Sequence, residues 1–79
     1  MQIRFTKYFV RSYNKAPASI RAAFDKQLTF LVDDLRHPSL RAKKFTTAYW
    51  QGRITRDWRF YFAIEGDVYI LVDIVAHPK

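Results

Sequence analysis

The stretch WRFYFAIEGDVYILVDIVAH, residues 58–77, decides the fold. On both sides of the short acidic segment 65–67, apolar residues recur at every second position, which is typical of two β-strands joined by a tight turn. The predicted core faces consist of Trp58, Phe60, Phe62 and Ile64 on the first strand and Val68, Ile70, Val72 and Ile74 on the second. The opposite faces then carry Arg59, Tyr61 and Ala63, and Tyr69, Leu71, Asp73, Val75 and His77.

Arg59 lies in the middle of the face opposite the core. A three-residue turn pairs Ile64 with Val68 and sets Arg59 opposite Asp73. One interpretation is a cross-strand ion pair, which contributes less than about 1 kcal/mol when exposed. The other is a phosphate clamp, because a guanidinium group can grip two non-bridging oxygens. Arg53, predicted on the same face, favours the clamp because two guanidinium groups need more negative charge than Asp73 supplies.

The rest of the chain supplies two helices and two further strands. QIRF (2–5) and YWQGRIT (49–55) read as strands, the latter with Gly52 as a β-bulge candidate. TKYFVRSYNKA (6–16) reads as a short helix. A second helix begins at Pro17 and carries one apolar stripe: Ile20, Phe24, Leu28, Leu31 and Leu35. RHPSL (36–40) ends it, and a basic loop follows to about Thr47.

The element order is therefore β-α-α-β-β-β. It predicts an α+β fold with two N-terminal helices packed on one face of a four-stranded, mainly antiparallel sheet. With 79 residues, nearly half of them hydrophobic, we expect a single domain over residues 1–79. There is no cysteine, which excludes a disulfide framework, a zinc–thiolate site and a cysteine nucleophile. No apolar run reaches transmembrane length and no signal peptide is recognisable, so we expect a soluble, intracellular protein.

Positive charge is concentrated in one part of the sequence. The formal net charge is +7, and residues 36–59 hold one acidic side chain, Asp57. The basic side chains of that segment are Arg36, Arg41, Lys43, Lys44, Arg53, Arg56 and Arg59. Such a block predicts a surface that binds nucleic acid or an acidic protein. The alternative is a solvated loop that aids solubility.

A second group of candidates extends this surface. His77 is either incidental or a general acid or base, since imidazole groups exchange protons near neutral pH. The candidate RNA-binding side chains are Lys43, Lys44, Arg41 and Arg56 for phosphate and Trp50 and Tyr61 for base stacking. Solvation is the alternative for the lysines and for Arg56, which lies near a turn. We assign Trp58 to the core and His37 to a loop.

Several kinds of site are excluded by what the sequence lacks. The two glycines, Gly52 and Gly66, cannot form a glycine-rich phosphate loop. No serine, histidine and carboxylate spacing suggests a catalytic triad. The carboxylates are too few and too scattered for a two-metal nuclease. We therefore expect no metal and no cofactor.

The element order, the basic loop HPSLRAKKF (37–45) and the block YWQGRITRDWRFYFAIEGDVYILVDIVAH (49–77) resemble the RelE/ParE superfamily of bacterial toxin–antitoxin toxins. The resemblance covers nearly the whole chain and is strongest to the C-terminal half of YoeB-type toxins. It implies a RelE-like fold and a cytosolic toxin that enters the ribosomal A site and cuts mRNA there without a metal. It also implies a cognate antitoxin with an acidic or amphipathic segment that masks the basic face.

The resemblance also assigns roles by position. Arg59 matches the strand arginine that stabilises the transition state, Arg53 a basic residue at the scissile phosphate, and His77 the terminal histidine that acts as general acid. Two features depart from the YoeB-like pattern. Leu40 stands where the catalytic carboxylate would lie, so Lys43 or Lys44 would have to substitute. Pro78 and Lys79 follow His77, where family members often have a tyrosine.

Two other functions stay open at this point. One is a ParE-like toxin that inhibits DNA gyrase by binding, since one fold serves several functions. The other is an inactive relative that only binds its antitoxin or RNA. His77 favours the nuclease, and the missing carboxylate weakens that preference.

Overall fold

The computed structural model describes residues 1–77 and, over that range, has two helices and a five-stranded sheet. The helices are α1 (Lys7–Lys15) and α2 (Ala18–Asp33), and a short 3₁₀ turn spans Pro38–Leu40. The strands are β1 (Gln2–Phe5), β2 (Lys43–Lys44), β3 (Trp50–Thr55), β4 (Trp58–Glu65) and β5 (Val68–Ala76). Their spatial order is β1-β5-β4-β3-β2, with β1 parallel to β5 and the other neighbours antiparallel.

Both helices pack on one face of the sheet, as the sequence predicts. Thr6 caps α1, because its hydroxyl accepts a hydrogen bond from Phe9 N and donates one to Leu71 O of β5, each 3.0 Å long. Helix α1 contacts β5 and α2 contacts β3. Within residues 1–77 neither helix is long and apolar enough to cross a membrane.

The core joins the helices to the three central strands. Its largest fully buried side chains are Phe9, Phe24, Leu31, Leu40, Phe60, Phe62 and Leu71. Aromatic contacts run from one layer to the other: the ring centroids of Phe9 and Phe24 lie 5.2 Å apart, and those of Phe24 and Phe60 lie 5.3 Å apart. These contacts fix the helices against β4 and leave the other face of the sheet free of helices.

One strand lies in the segment predicted to be loop. Lys43 and Lys44 form β2, which pairs with Gln51 and Trp50 of β3. The prediction of four strands is therefore wrong by one. This edge strand is only two residues long, and both of its side chains are exposed. It therefore has no alternation of apolar and polar residues by which the sequence could predict it. The backbone hydrogen bonds from residues 45 and 46 to Tyr49 O close the connection to β3.

The register of β4 with β5 also differs from the prediction. Glu65 pairs with Val68, so the turn contains only Gly66, at φ 59°, and Asp67. The two-residue turn moves Tyr69 and Leu71 onto the core face, where both are buried, contrary to the predicted pattern.

A β-bulge later in β5 restores the predicted faces. The register shifts where Tyr61 pairs with Asp73 and Phe62 pairs with Leu71, which leaves Val72 as the extra residue. Arg59 consequently pairs with Val75, and the predicted pairing of Arg59 with Asp73 is wrong. The face turned away from the helices, called the open face below, carries Lys43, Gln51, Arg53, Arg59, Tyr61, Asp73 and Val75.

Gly52 has a different role from the predicted bulge. It pairs regularly with Phe60, and the irregularity between β3 and β4 falls between Arg53 and Thr55. A Cβ atom on Gly52 would overlap the Cζ and Cε1 atoms of the Phe60 ring. Glycine is required here because the fully buried ring lies directly against the β3 backbone.

Candidate functional site

A basic cleft of about 220 Å³ opens on the open face near the end of β5. It is lined by Arg41, Lys43, Gln51, Arg53, Arg59 and His77. These six side chains come from five separate segments of the chain, and none of them is a carboxylate. The cleft therefore concentrates positive charge and hydrogen-bond donors, which suits a phosphate group.

The centre of the basic cleft is a pair of arginines. Arg53 and Arg59 lie directly opposite one another on β3 and β4, on the shared face that the sequence predicts, because the register shift between Arg53 and Thr55 compensates for a two-residue turn. Side chains in such pairs have Cβ atoms about 5 Å apart, and like charges there repel. Over residues 1–77 the one ion pair joins Arg56 to Asp57 at 3.8 Å, so the pair has no carboxylate counter-ion in that range.

Arg59 is held by the turn that precedes it. Its Nη1 donates to the carbonyl oxygens of Thr55, Trp58 and Arg56 at 2.7, 3.0 and 3.1 Å. These bonds fix the guanidinium group beside the β3–β4 turn, and within residues 1–77 its Nε and Nη2 atoms donate to no other group. The proposed ion pair with Asp73 is not formed; the Asp73 carboxylate instead accepts from the backbone N–H of Ile74 at 2.8 Å.

Arg53 is positioned by a buried amide on the helix side of the sheet. Gln27 of α2 is 7% exposed, and its Nε2 donates to the carbonyl oxygens of Arg53 and Ser39 at 2.7 and 2.8 Å. One side chain thereby ties β3 to the 3₁₀ turn, which leads directly to Arg41. Gln27 was not among the site residues predicted from the sequence. The signal was a polar side chain on the apolar stripe, three residues after Phe24 and four before Leu31.

The 3₁₀ turn brings Arg41 to the basic cleft. Arg41 has φ 44° and ψ 41°, a left-handed conformation that costs about 1–2 kcal/mol for a non-glycine residue. Leu40 before it is fully buried and anchors the bend. His37 begins the turn, stacks on Phe30 with centroids 3.9 Å apart, and accepts from Ser39 N. His37 is thus a structural loop residue, and Leu40 is a core residue.

His77 closes the basic cleft from the end of β5. Its backbone N–H donates to Asp57 O at 2.6 Å, which fastens this end of the chain to the β3–β4 turn. The side chain is exposed and faces the same cleft as Arg53 and Arg59. Pro78 and Lys79, which replace the tyrosine of the YoeB-like pattern, lie outside the described residues.

Three sequence candidates lie elsewhere. Lys44 and Trp50 project from the helix side of the sheet, where the Lys44 Nζ lies 5.5 Å from the centroid of the Trp50 ring. Trp50 is half-buried, packs on Phe62 and lies on the side of the sheet opposite the basic cleft. Arg56 is exposed at the β3–β4 turn, outside the residues that line the cleft.

An aromatic groove lies beside the basic cleft on the open face. It has a volume of about 370 Å³ and is lined by Phe45, Tyr49, Tyr61, Val72, Asp73 and Val75. The rings of Phe45 and Tyr61 are 4.9 Å apart. The Tyr61 hydroxyl donates to Gln51 Oε1 at 3.4 Å, and Gln51 also lines the cleft, so the two depressions share a wall.

Other protein structures share this architecture. Neither the protein-family models nor the curated proteins contain a match to the sequence. A YoeB/ParE toxin from Agrobacterium tumefaciens superposes with a TM-score of 0.81 at 15% identity, over 99% of this chain and 100% of that one. YafQ from E. coli gives 0.80 at 12% identity, over 95% and 91%. RelE in the RelB–RelE antitoxin–toxin complex from Methanococcus jannaschii gives 0.77 at 21%, over 92% and 88%.

The chain has the RelE-like fold. The α+β architecture predicted from the element order and the RelE-like fold implied by the resemblance are confirmed, with five strands in place of four. At identities of 12–21% the superpositions establish the fold alone. Within residues 1–77, no group of three or more histidine, aspartate or glutamate side chains is arranged to hold a metal ion.

Proposed function

We propose that this protein is the toxin of a type II toxin–antitoxin system and that it cleaves mRNA on the ribosome as an endoribonuclease. The observation that carries the proposal is the basic cleft, in which Arg53, Arg59 and His77 converge without a carboxylate among the lining residues. Two guanidinium groups and an imidazole on one wall suit a phosphodiester. The RelE-like fold, shared with solved toxins, supports the same assignment.

The proposed reaction is an internal transfer within the RNA. The 2′-hydroxyl oxygen attacks the adjacent phosphorus, the bond from phosphorus to the 5′-oxygen breaks, and a 2′,3′-cyclic phosphate forms. Arg59 and Arg53 stabilise the negative charge that builds on the phosphoryl oxygens. His77 donates a proton to the departing 5′-oxygen, and the 2′-hydroxyl proton passes to solvent. Lys43 adds positive charge from the β2 side of the cleft.

The proposed partners follow from the charge. A net charge of +7 and a basic cleft without acidic lining residues favour RNA and an acidic antitoxin segment. Among the structures with this fold are RelB–RelE complexes from Methanococcus jannaschii and Pyrococcus horikoshii. We therefore propose a RelB-like antitoxin whose acidic segment covers the cleft and prevents access to RNA.

The test is mRNA cleavage on programmed ribosomes, mapped by primer extension. Wild-type protein should produce discrete cuts in the A-site codon. His77→Ala and Arg59→Ala should each lower the cleavage rate by about 100-fold or more, while the matched Arg56→Ala should stay within about twofold. Circular dichroism on all four proteins separates lost chemistry from lost fold, because Arg59 also anchors the β3–β4 turn.

Other outcomes identify the alternatives. Cleavage that survives His77→Ala places the general acid elsewhere. No cleavage by the folded wild type overturns the nuclease proposal, and gyrase inhibition by the same preparation then points to a ParE-like binding toxin. Binding of antitoxin or RNA without either activity points to an inactive relative.

A further inference from the structure

We propose that the aromatic groove binds the nucleobase next to the phosphate held in the basic cleft, and that Asp73 selects bases with hydrogen-bond donors on their pairing edge. The inference rests on the proposed RNA substrate and adds the part of the site that reads sequence. It concerns the six residues that line the groove, of which only Tyr61 was expected to contact RNA.

The groove has the dimensions and walls of a base-binding site. Its volume of about 370 Å³ is lined by three aromatic side chains, two valines and one carboxylate. Phe45 and Tyr49 are 57% and 42% exposed and lie together with Tyr61 in this groove, so their rings form one exposed aromatic patch. Planar rings in solvent offer a stacking surface for any base, because each base has a π-face.

Continuity with the basic cleft identifies the occupant as RNA. Tyr61 follows Arg59 by two positions on β4, which places their Cα atoms about 7 Å apart along one face. Gln51 lines the cleft, and its Oε1 atom accepts a hydrogen bond from the Tyr61 hydroxyl at 3.4 Å. A nucleotide whose phosphate contacts Arg59 and Arg53 can therefore place its base on Tyr61 and Phe45.

Asp73 supplies the selectivity. Its partner across the strands is Tyr61, so its carboxylate stands beside the stacking surface. One oxygen, Oδ1, accepts from Ile74 N at 2.8 Å, which fixes the carboxylate and leaves further lone pairs for a ligand. A carboxylate accepts hydrogen bonds only. Guanine offers N1–H and N2–H side by side, adenine and cytosine each offer an amino group, and uracil offers one N–H between two carbonyl oxygens that repel the carboxylate.

The experiment measures base preference without requiring cleavage. ¹⁵N-labelled protein is titrated with 2′-O-methyl trinucleotides UXU, where X is guanine, adenine, cytosine or uracil, and backbone amide shifts report binding. The 2′-O-methyl group blocks the attacking oxygen. We expect UGU to bind about 10-fold more tightly than UUU, in line with bidentate recognition of a base edge. The amides of Tyr61, Asp73 and neighbouring residues should shift with X.

Three variants separate selectivity, stacking and charge. Asp73→Asn, which keeps the shape but adds a donor, should reduce the preference for UGU to within about twofold. Asp67→Asn removes the same charge from the exposed β4–β5 turn and should keep the preference. Tyr61→Leu should weaken binding of all four trinucleotides by about 10-fold, as expected for loss of base stacking.

The outcomes distinguish this inference from the nuclease proposal. Equal binding of all four trinucleotides, a preference that survives Asp73→Asn, or unmoved groove amides would overturn the base-site inference, and the last result would assign the groove to a protein contact. Ribosomal cleavage could still be intact in each of these cases. A base preference in a protein that never cleaves mRNA would support the inference and overturn the nuclease proposal alone.

Discussion

The side-chain amide of Gln27 donates a 2.7 Å hydrogen bond to the backbone carbonyl of Arg53, so that a helix on one side of the sheet holds a residue whose side chain lines the basic cleft on the other. The same Nε2 atom donates to Ser39 O at 2.8 Å. Buried carbonyl groups are costly to leave without a partner. This amide therefore fixes the distance between the two segments that carry Arg53 and Arg41.

Gln27→Leu should lower the free energy of unfolding by about 2 kcal/mol, since two carbonyl oxygens lose their donor. Urea denaturation measures the loss. Gln2→Leu makes the same chemical change at an exposed position of β1 and should stay within about 0.5 kcal/mol of wild type. Equal effects of the two substitutions would show that the buried amide contributes nothing specific.

Two neighbouring lysines should differ in function because they lie on opposite faces of the sheet. Lys43 lines the basic cleft, whereas Lys44 lies over the Trp50 ring on the helix side. Lys43→Gln should reduce ribosomal mRNA cleavage by about 10-fold, and Lys44→Gln should stay within about twofold, since both remove one charge but only one removes it from the cleft. Primer extension on programmed ribosomes measures both. Equal losses would mean that net charge, and not cleft geometry, decides activity.

The shared face of the two arginines was predicted from alternation along β3 and β4, joined by a connection with an odd number of residues. The β3–β4 turn holds two residues, and the register shift between Arg53 and Thr55 compensates, so Arg53 still lies opposite Arg59. The faces of Asp73 and His77 were also predicted, but by two compensating differences. The β4–β5 turn is one residue shorter than expected, and the bulge at Val72 reverses the resulting slip.

Features that depend on distant contacts could not be predicted. Strand β2 consists of two lysines that form a strand because they pair with the free edge of β3. The two residues themselves show no alternation of apolar and polar side chains. The aromatic groove brings Phe45, which follows β2, against Tyr61 of β4, although all of β3 separates them in the sequence. Trp50 lies on the helix side of the sheet because its parity along β3 matches that of Gly52 and not that of Arg53.

Gly52→Ala should destabilise the protein by about 1–3 kcal/mol, because the added methyl group overlaps the buried ring of Phe60. Thermal or urea denaturation measures the change. Phe60→Leu replaces the ring with a smaller side chain and should partly accommodate the methyl group. The free energy of unfolding of the double variant should therefore be about 1 kcal/mol higher than the sum of the two single effects predicts. Strict additivity would show that the contact between β3 and Phe60 is not the reason for glycine.

The stability should fall at alkaline pH through Tyr13. Its hydroxyl donates to both oxygens of Asp25, at 2.9 and 3.1 Å, and this hydrogen bond, with burial second, raises the pKa of Tyr13 above its ordinary value of 10.0. A raised folded-state pKa stabilises the fold below pH 10, and the stabilisation is lost as the pH rises through that pKa. The pair is solvent-accessible, so its contribution stays below about 1 kcal/mol.

Tyr13→Phe should therefore be slightly less stable than wild type at pH 8, and the difference should shrink as the pH rises above 10. Urea denaturation at pH 8, 9.5 and 10.5 measures the trend. Tyr8→Phe, at a 63% exposed position of the same helix, should match wild type at every pH. A difference between wild type and Tyr13→Phe that stays constant with pH would exclude the linkage to Asp25.

The like-charged arginines of the basic cleft should make the fold respond to anions. Arg53 and Arg59 face one another at a like-charge pair, so a bound phosphate relieves repulsion as it forms new hydrogen bonds. Replacing chloride with inorganic phosphate at constant ionic strength should raise the Tm of the wild type by about 4 °C, the shift expected for about 1 kcal/mol in a domain of this size.

Arg53→Gln should lose most of this rise and, in chloride, unfold no earlier than wild type, because the repulsion is gone. Arg56→Gln, outside the cleft, should keep the rise. Equal rises of Tm in all three proteins would assign the effect to exclusion of phosphate from the whole protein surface and would rule out a specific phosphate site in the cleft.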